Sequence, residues 1–188
     1  MDTPFALPSR GEKPRKTGLT VVIDFGPDTF GWTGPRGLQD FLDCAADYVD
    51  FAKIYAMNGL LLPKATVSEI VRIYRDASVV PYTGGILFEY AYHRNEIDGL
   101  IAHLKRIGVP KLEMSENYIS LSDDERGRFF DLFHRHGFSV IAEFGRKNPV
   151  APFDLDELGE LLRRNREHGV EHLLVEQSEL DLVREKAP

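Results

Sequence analysis

The chain has 188 residues, of which 43% are hydrophobic and 28% are charged, and its formal net charge is −7. This composition is typical of one globular domain and argues against nucleic acid as a partner, because nucleic-acid binders need clustered Lys and Arg. No apolar run reaches membrane-spanning length, and a single cysteine fits a reducing compartment, so we expect a cytoplasmic protein without a membrane partner. That cysteine, Cys44, lies in an apolar pattern, which predicts a buried thiol.

Residues 1–16 mix Pro, Arg, Lys and Gly without periodicity, which predicts an N-terminal arm ahead of a single domain over residues 17–188. The domain opens with a continuous apolar run over 19–24, which is typical of a buried parallel strand. A loop rich in glycine and proline over 25–35 then leads into a helix predicted over about 37–46.

The same order of strand, loop and helix repeats along the rest of the chain. Further strands are predicted at 48–54, 78–81, 111–115, 138–143 and 170–176, and further helices at 66–76, 96–107, 122–136 and 154–168. Thr66 is expected to cap a helix, Ser122 and Glu125 form a capping box, and Gly108 is expected to end a helix. Six βα units therefore predict a parallel α/β fold.

The number of units leaves the architecture open. A closed (β/α)₈ barrel has eight units, so this chain predicts a truncated barrel, a barrel that another element completes, or an open doubly wound sheet. No GxGxxG pattern follows the first strand, which disfavours a dinucleotide cofactor.

The segment from Pro81 to Tyr92 combines a double glycine with an aromatic-rich run that carries one carboxylate, Glu89. After Val79 and Val80, this pattern predicts a strand, a tight turn and the start of a helix. Adjacent glycines permit a positive φ and let a ligand approach the backbone closely, because no Cβ stands in the way. Since Gly-Gly is also common in ordinary loops, a purely structural turn stays open.

Ionisable residues end nearly every predicted strand. They are Asp24, Lys53, Glu89 after the glycine turn, Glu113 with Ser115, Glu143 with Arg146 and Lys147, and Glu176. In parallel α/β folds the ligand lies at this edge, and carboxylates beside cations suit Mg²⁺ with an anionic substrate. Exposed strand ends also tolerate charge, so a structural explanation stays open. Zinc is disfavoured, because we expect helix-terminal or surface positions for His134, His136, His168 and His172.

Several segments resemble the phosphosulfolactate synthase family, in register over about residues 17–180. They are Gly18–Asp24, Asp47–Lys53, Gly84–Tyr92, Leu112–Ser115, Ile119–Leu121, Glu143–Lys147 and Val175–Glu176. The resemblance implies a TIM-type (β/α) barrel, here incomplete with about six βα units. It also implies a carbon–sulfur lyase-type synthase of coenzyme M biosynthesis, which adds sulfite to phosphoenolpyruvate with Mg²⁺.

The resemblance implies roles for the residues at the strand ends. Lys147 is the candidate proton donor, and Lys53 and Glu143 complete the candidate catalytic group. Gly84, Gly85, Ser115 and Arg146 are candidates for substrate binding. Asp24, Glu89, Glu113 and Glu176 are candidates for holding Mg²⁺.

The chain also departs from the family pattern. Phe25 stands where the family has a lysine, and Ser178 stands where it has an arginine, so two cations are lost from a site for polyanions. Three hypotheses therefore stay open: the sulfite-adding enzyme, a diverged enzyme using related enolate chemistry on a less anionic substrate, and a non-catalytic homologue with a binding or stress role. The exposed strand edges of an incomplete barrel also predict a homo-oligomer.

Overall fold

The structure is a computed structural model that describes residues 11–28 and 34–186. Six strands are present in this part of the chain: β1 (Val21–Asp24), β2 (Phe51–Ile54), β3 (Val80–Thr83), β4 (Lys111–Met114), β5 (Ser139–Phe144) and β6 (His172–Val175). The helices are α1 (Pro35–Ala45), α2 (Asn58–Leu61), α3 (Lys64–Asp76), α4 (Gly85–His93), α5 (Ile97–Ile107), α6 (Asp123–Arg135), α7 (Leu155–Glu167) and α8 (Gln177–Lys186).

The strands form one parallel sheet in the order β1-β2-β3-β4-β5-β6. A doubly wound sheet would reverse its strand order at a switch point, and this sheet does not. The sheet also curls on itself, because the ring of Phe51 on β2 lies 5.4 Å from the ring of His172 on β6. The chain is therefore an incomplete (β/α) barrel, as predicted.

The two faces of the sheet differ in chemistry because side chains alternate along each strand. Apolar residues on the outer face pack against the helices in two buried clusters, one of which includes Ile54, Leu112, Met114, Val140 and Ala142. The opposite face lines the inside of the curl, and we call it the inner face. It carries Lys53, Tyr82, Lys111, Glu113 and Glu143, so charge is concentrated inside the barrel and apolar packing outside it.

Helix ends follow the sequence signals in most places. Ser122 and Glu125 form the predicted capping box at the start of α6, and Gly108 ends α5 in the left-handed conformation. The Thr66 cap is wrong: α3 begins at Lys64, directly after Pro63, whose fixed φ suits a helix start.

The prediction for Cys44 is also wrong, because its thiol is exposed. Helix α1 buries Leu38 and Leu42, which lie one helical turn apart. Cys44 follows Leu42 by two residues, so it points roughly to the opposite side of the helix, towards solvent.

The predicted N-terminal arm is described only from residue 11 onward, and residues 29–33 of the predicted glycine–proline loop also lie outside the described part. Within the arm, Lys13 Nζ donates to the carbonyl of Ala46 at 2.6 Å, and Arg15 forms an ion pair with Asp50 at 2.9 Å. Both contacts lie near the amino ends of the strands. Among the residues that the structure describes, no helix has the length and apolar character needed to cross a bilayer.

Candidate functional site

A buried ion pair lies at the carboxyl ends of the strands on the inner face. Glu113 Oε1 accepts from Lys53 Nζ at 2.7 Å and from the Gly85 amide at 2.9 Å, and the Glu113 side chain is 1% exposed. Lys53 is 20% exposed, so one side of its ammonium faces the open inside of the curl. Charge-assisted bonds of this kind hold both groups in a fixed geometry. The pair is therefore an oriented cation that a ligand can reach.

Tyr82 lies between the strands that carry this pair, and the sequence analysis missed it. Its side chain is fully buried, and its hydroxyl has no hydrogen-bond partner among the described residues. Burial raises the pKa of Tyr82, and the negative charges of Glu113 and Glu143 raise it further. The phenol therefore keeps its proton and can donate it in a hydrogen bond to a ligand.

Glu143 lies at the end of β5, beside two other carboxylates. Burial raises the pKa of Glu143 to about 9, with further contributions from a hydrogen bond to Glu176 and from the charge of Glu113, while Lys53 acts in the opposite direction. Glu143 is therefore a neutral acid at pH 7. We call Lys53, Tyr82, Glu113, Glu143 and Glu176 the inner-face cluster.

The carboxyl groups of Glu113 and Glu143 interact within the cluster. Glu113 Oε2 is buried and accepts no hydrogen bond from an N–H or hydroxyl group in the described part of the chain. The carboxyl groups of Glu113 and Glu143 are nonetheless close enough to interact, which helps to raise the pKa of Glu143. Carboxylates held together by a proton can instead be held together by a cation, since both offset the same repulsion.

Replacing Glu143 with Gln is expected to change how stability depends on pH. The unfolded carboxyl loses its proton near pH 4.5 and the folded one near pH 9, so the folded state binds more protons between these values. The free energy of unfolding of the wild type therefore falls as pH rises through this window, by at most about 1.4 kcal/mol per pH unit. Urea unfolding across the window should give a flatter profile for Glu143→Gln.

The matched control for this measurement is Glu157→Gln, at an exposed position on α7, which should keep the wild-type slope. An unchanged slope in Glu143→Gln would contradict the assignment of a raised pKa to this residue.

Asp24, a candidate metal ligand, lies apart from the inner-face cluster. Its side chain is buried on the outer face, where Oδ1 accepts from the Gly26 amide at 2.9 Å and Oδ2 accepts from the Tyr74 hydroxyl at 3.0 Å. Tyr74 belongs to α3, which packs on that face. Asp24 therefore fixes the loop after β1 and joins it to the helical layer.

Glu89, the second of the four metal candidates, organises the loop after β4. It accepts a short hydrogen bond from the Ser115 hydroxyl, and its two oxygens accept from the amides of Asn117 at 3.0 Å and Tyr118 at 2.7 Å. Ser115, a substrate-binding candidate, thus donates its hydroxyl proton to Glu89. Both residues hold the loop that follows Glu113.

The double glycine is needed for space rather than for a positive φ. Gly84 has φ −63°, and a Cβ on it would lie 3.2 Å from Lys53 Cε and 3.3 Å from the Ala56 nitrogen. A Cβ on Gly85 would overlap the Ser115 hydroxyl and lie 2.5 Å from Ser115 Cβ. The close approach at this turn is therefore between α4 and the neighbouring strands. It brings the Gly85 amide onto Glu113.

Arg146 and Lys147 follow β5 on an exposed loop. The Arg146 amide donates to Glu179 at 2.9 Å, but neither of the two side chains forms an ion pair with a described residue. Glu143 and Arg146 both line a cleft of about 660 Å³ above β5. The other arginines of that cleft, Arg126 and Arg164, are already paired with carboxylates. Arg146 is thus a cation available to a ligand in the cleft.

The cluster offers oxygen donors but not a complete metal cage. Within residues 11–28 and 34–186, no group of three or more His, Cys, Asp and Glu side chains is arranged around a common metal position. Mg²⁺ is commonly held by only one or two carboxylates, with water and substrate oxygens filling the other positions. Glu113 and Glu143, whose carboxyl groups interact within the cluster, fit this mode.

Comparison with known proteins agrees with these observations. Residues 8–186 match the family model described as (2R)-phospho-3-sulfolactate synthase (ComA). The chain is similar to phosphosulfolactate synthases of Methanothermobacter thermautotrophicus, with 32% identity over 177 residues, and Methanocaldococcus jannaschii, with 29% identity over 161 residues. These alignments cover 93% and 85% of this chain but only 66% and 62% of the relatives, so the chain spans less than two thirds of their length.

A solved structure supports the fold independently of sequence. N-acetylneuraminate lyase from Fusobacterium nucleatum superposes with a TM-score of 0.51 at 14% identity, over 87% of this chain and 56% of the lyase. At this level of identity the likeness concerns the architecture alone.

Proposed function

The chain belongs to the phosphosulfolactate synthase family, and from this premise we propose that it joins sulfite to phosphoenolpyruvate through a new carbon–sulfur bond. The observation that carries the proposal is the inner-face cluster, in which the Lys53–Glu113 ion pair lies beside the neutral acid Glu143 and the Tyr82 hydroxyl. The cluster lies at the carboxyl ends of parallel strands, where barrel enzymes hold their substrates.

The negative charges of the two substrates are the first obstacle to this reaction. Both substrates are anions, and their mutual repulsion opposes contact between sulfur and carbon. Lys53 offers a partly exposed ammonium on the inner face, and Arg146 and Lys147, which form no ion pair with a described residue, offer cations at the rim of the same edge. We assign Lys53 to the substrate carboxylate and Arg146 to the phosphate.

The chemical step forms one bond and moves one electron pair. The sulfur lone pair attacks the CH₂ carbon, and the π electrons of the C=C bond move onto the carboxylate as an enediolate. A proton then adds to the carbon that bears the phosphate, giving 2-phospho-3-sulfolactate with no leaving group. Lys53 and the Tyr82 hydroxyl stabilise the developing carboxylate charge, since both face the inside of the curl.

Magnesium is part of the proposal through Glu113 and Glu143, with Glu176 as the neighbouring carboxylate. When bound, Mg²⁺ would supply positive charge against the enediolate and the phosphate. Asp24 and Glu89 are not needed for this role, because their oxygens are hydrogen-bonded to the loops they hold.

Two groups can supply the proton. Lys147 is the first, because it is exposed on the loop after β5 and forms no ion pair with the described residues. Glu143 is the second, because it is a neutral acid at pH 7 inside the cluster. We assign the proton to Lys147, because Mg²⁺ held by Glu113 and Glu143 would displace the carboxyl proton of Glu143.

The protein with Mg²⁺ is expected to consume sulfite and phosphoenolpyruvate in equal amounts. The measurement is loss of phosphoenolpyruvate absorbance together with a sulfite assay, and Lys147→Ala should lose at least about a hundredfold in kcat. The matched control is Lys105→Ala, on the exposed face of α5, which should keep wild-type turnover. A folded wild type that consumes neither substrate contradicts the proposed reaction. A Lys147→Ala variant at full rate instead removes Lys147 as the proton donor.

A second candidate is related enolate chemistry on a less anionic substrate, and one observation favours it. Phe25, which replaces the family lysine, packs against Tyr55 with ring centroids 4.8 Å apart. This aromatic pair lies just after β1 and β2, where the family pattern has a cation. Apolar surface there favours a substrate with fewer charges at that end of the site.

We further propose that the protein forms a homo-oligomer. Val21 and Ile23 on β1 are 38% and 40% exposed, although they belong to a strand of the sheet. An exposed apolar strand at the edge of a sheet favours association.

A further inference from the structure

A second charged group lies on the inner face, towards the amino ends of the strands. Lys111 is the first residue of β4, two residues or about 7 Å along the strand from Glu113. Its side chain is 8% exposed, and its ammonium lies 5.5 Å from the centre of the Phe51 ring. Within the described part of the chain it forms no hydrogen bond or ion pair. Lys111 is therefore a buried cation without a bound counter-ion.

Lys111 opens onto a cavity of about 350 Å³ that is separate from the inner-face cluster. Its polar lining consists of Lys111, His134, Ser139, Glu171 and His172. The expected helix-terminal or surface position of His172 is wrong, because this residue begins β6 and packs edge-on against Phe51 at 5.4 Å. Period-two alternation carries it onto the inner face, next to Lys111.

Glu171 is the acidic residue of the cavity lining, and it forms no ion pair with Lys111. Burial lowers the pKa of Lys111, and Glu171 only partly offsets this from an exposed position beyond ion-pair distance. Burial and the charge of Lys111 together lower the pKa of His172. A buried ammonium without a counter-ion is costly in free energy, and an anion in the cavity would remove that cost.

We propose that this cavity binds a small tetrahedral oxyanion of the phosphate and sulfate class, with Lys111 as its counter-ion. The Ser139 hydroxyl and the ring of His172 line the same space and supply further donors. The site lies at the opposite end of the inner face from the proposed reaction. It can therefore bind its anion whether or not the reaction proposed above takes place.

The test follows the ring signals of His172 by NMR while inorganic phosphate is added, with chloride at equal ionic strength as the reference. The wild type should show a saturable shift that chloride does not produce. Lys111→Met, which keeps the side-chain volume but removes the charge, should weaken binding by at least about tenfold. The double variant Lys53→Met with Glu113→Gln removes the ion pair of the inner-face cluster without leaving a buried charge, and it should leave the His172 response unchanged. This variant thereby distinguishes phosphate binding at Lys111 from phosphate binding at the inner-face cluster.

Lys111→Arg keeps the positive charge, so it should bind phosphate at close to wild-type affinity. This result would show that lost binding in Lys111→Met comes from the lost charge and not from misfolding. The proposal is overturned by equal responses to phosphate and chloride, or by undiminished binding in Lys111→Met. It is equally overturned by loss of the His172 response in a folded sample of the Lys53→Met, Glu113→Gln double variant, since phosphate would then bind at the inner-face cluster.

Discussion

Lys53→Met is expected to lower kcat/KM for sulfite addition by at least about a thousandfold. The substitution removes the ammonium that faces the inside of the curl, and it leaves Glu113 as a buried carboxylate without its 2.7 Å partner. An uncompensated negative charge then lies where two anionic substrates must meet, so both binding and the chemical step suffer. The measurement is steady-state turnover with varied phosphoenolpyruvate at saturating sulfite and Mg²⁺.

Loss of fold must be separated from loss of chemistry in this variant. Breaking one partner of a buried ion pair costs about 3–5 kcal/mol of folding free energy, much of which the double variant Lys53→Met with Glu113→Gln should recover. The Glu113→Gln change keeps a side-chain oxygen where Glu113 Oε1 lies, so the Gly85 amide can still donate to it. We expect this double variant to be stable and inactive. A double variant with wild-type kcat/KM would remove Lys53 from the mechanism.

Gly85→Ala is expected to lower the free energy of unfolding by about 3 kcal/mol. The new methyl group would lie 2.5 Å from Ser115 Cβ and 3.0 Å from the Ser115 backbone nitrogen, so α4 must move away from β4. That movement lengthens the bond between the Gly85 amide and Glu113 and disturbs the inner-face cluster. Urea unfolding gives the change in stability, and turnover should fall in parallel.

Two companion variants identify the cause of this loss. Gly159→Ala, on α7 with no atom within 4 Å of the new methyl group, should instead gain about 0.5–1 kcal/mol from helix propensity. Ser115→Gly added to Gly85→Ala removes the atoms that clash most severely and should restore part of the stability. Equal stability of Gly85→Ala and the wild type would contradict the packing described for this turn.

The architecture could be predicted because its signals are local. Apolar runs recur in every βα unit, glycines follow α5, α6 and α7, and each predicted strand overlaps a strand of the structure. The two wrong predictions about helices also concern single positions within one element. Pro63 overrides Thr66 as the start of α3, and the apolar neighbours of Cys44 hide its position on the solvent side of α1.

The candidate site was predictable only in part, because a sequence shows where a strand ends but not what its side chains meet. Lys53, Glu113, Glu143 and Glu176 come together since they share the inner face at neighbouring strand ends. Tyr82 was missed because only the register that pairs it with Lys53 places it among them.

Two of the metal candidates, Asp24 and Glu89, lie outside the cluster, and the sequence did not predict this. Asp24 directly follows Ile23, the partner of Lys53 in the strand register, so the alternation of side chains turns it to the outer face. Glu89 meets Ser115 and the amides of the loop after β4, which are 26 to 29 residues away along the chain. Contacts over such separations depend on how α4 packs against β4, and residue pattern alone does not reveal that packing.

The inner-face cluster has a consequence for how such a barrel can evolve. Its members come from the four consecutive strands β2 to β5 and from the residue directly after β6, so the stretch from residue 53 to residue 176 holds the whole group. Genetic exchange outside that stretch leaves every member in place, while exchange within it replaces whole βα units one at a time. The residues of the cluster thus lie in one continuous block of the chain, and the segments on either side of it contribute none of them.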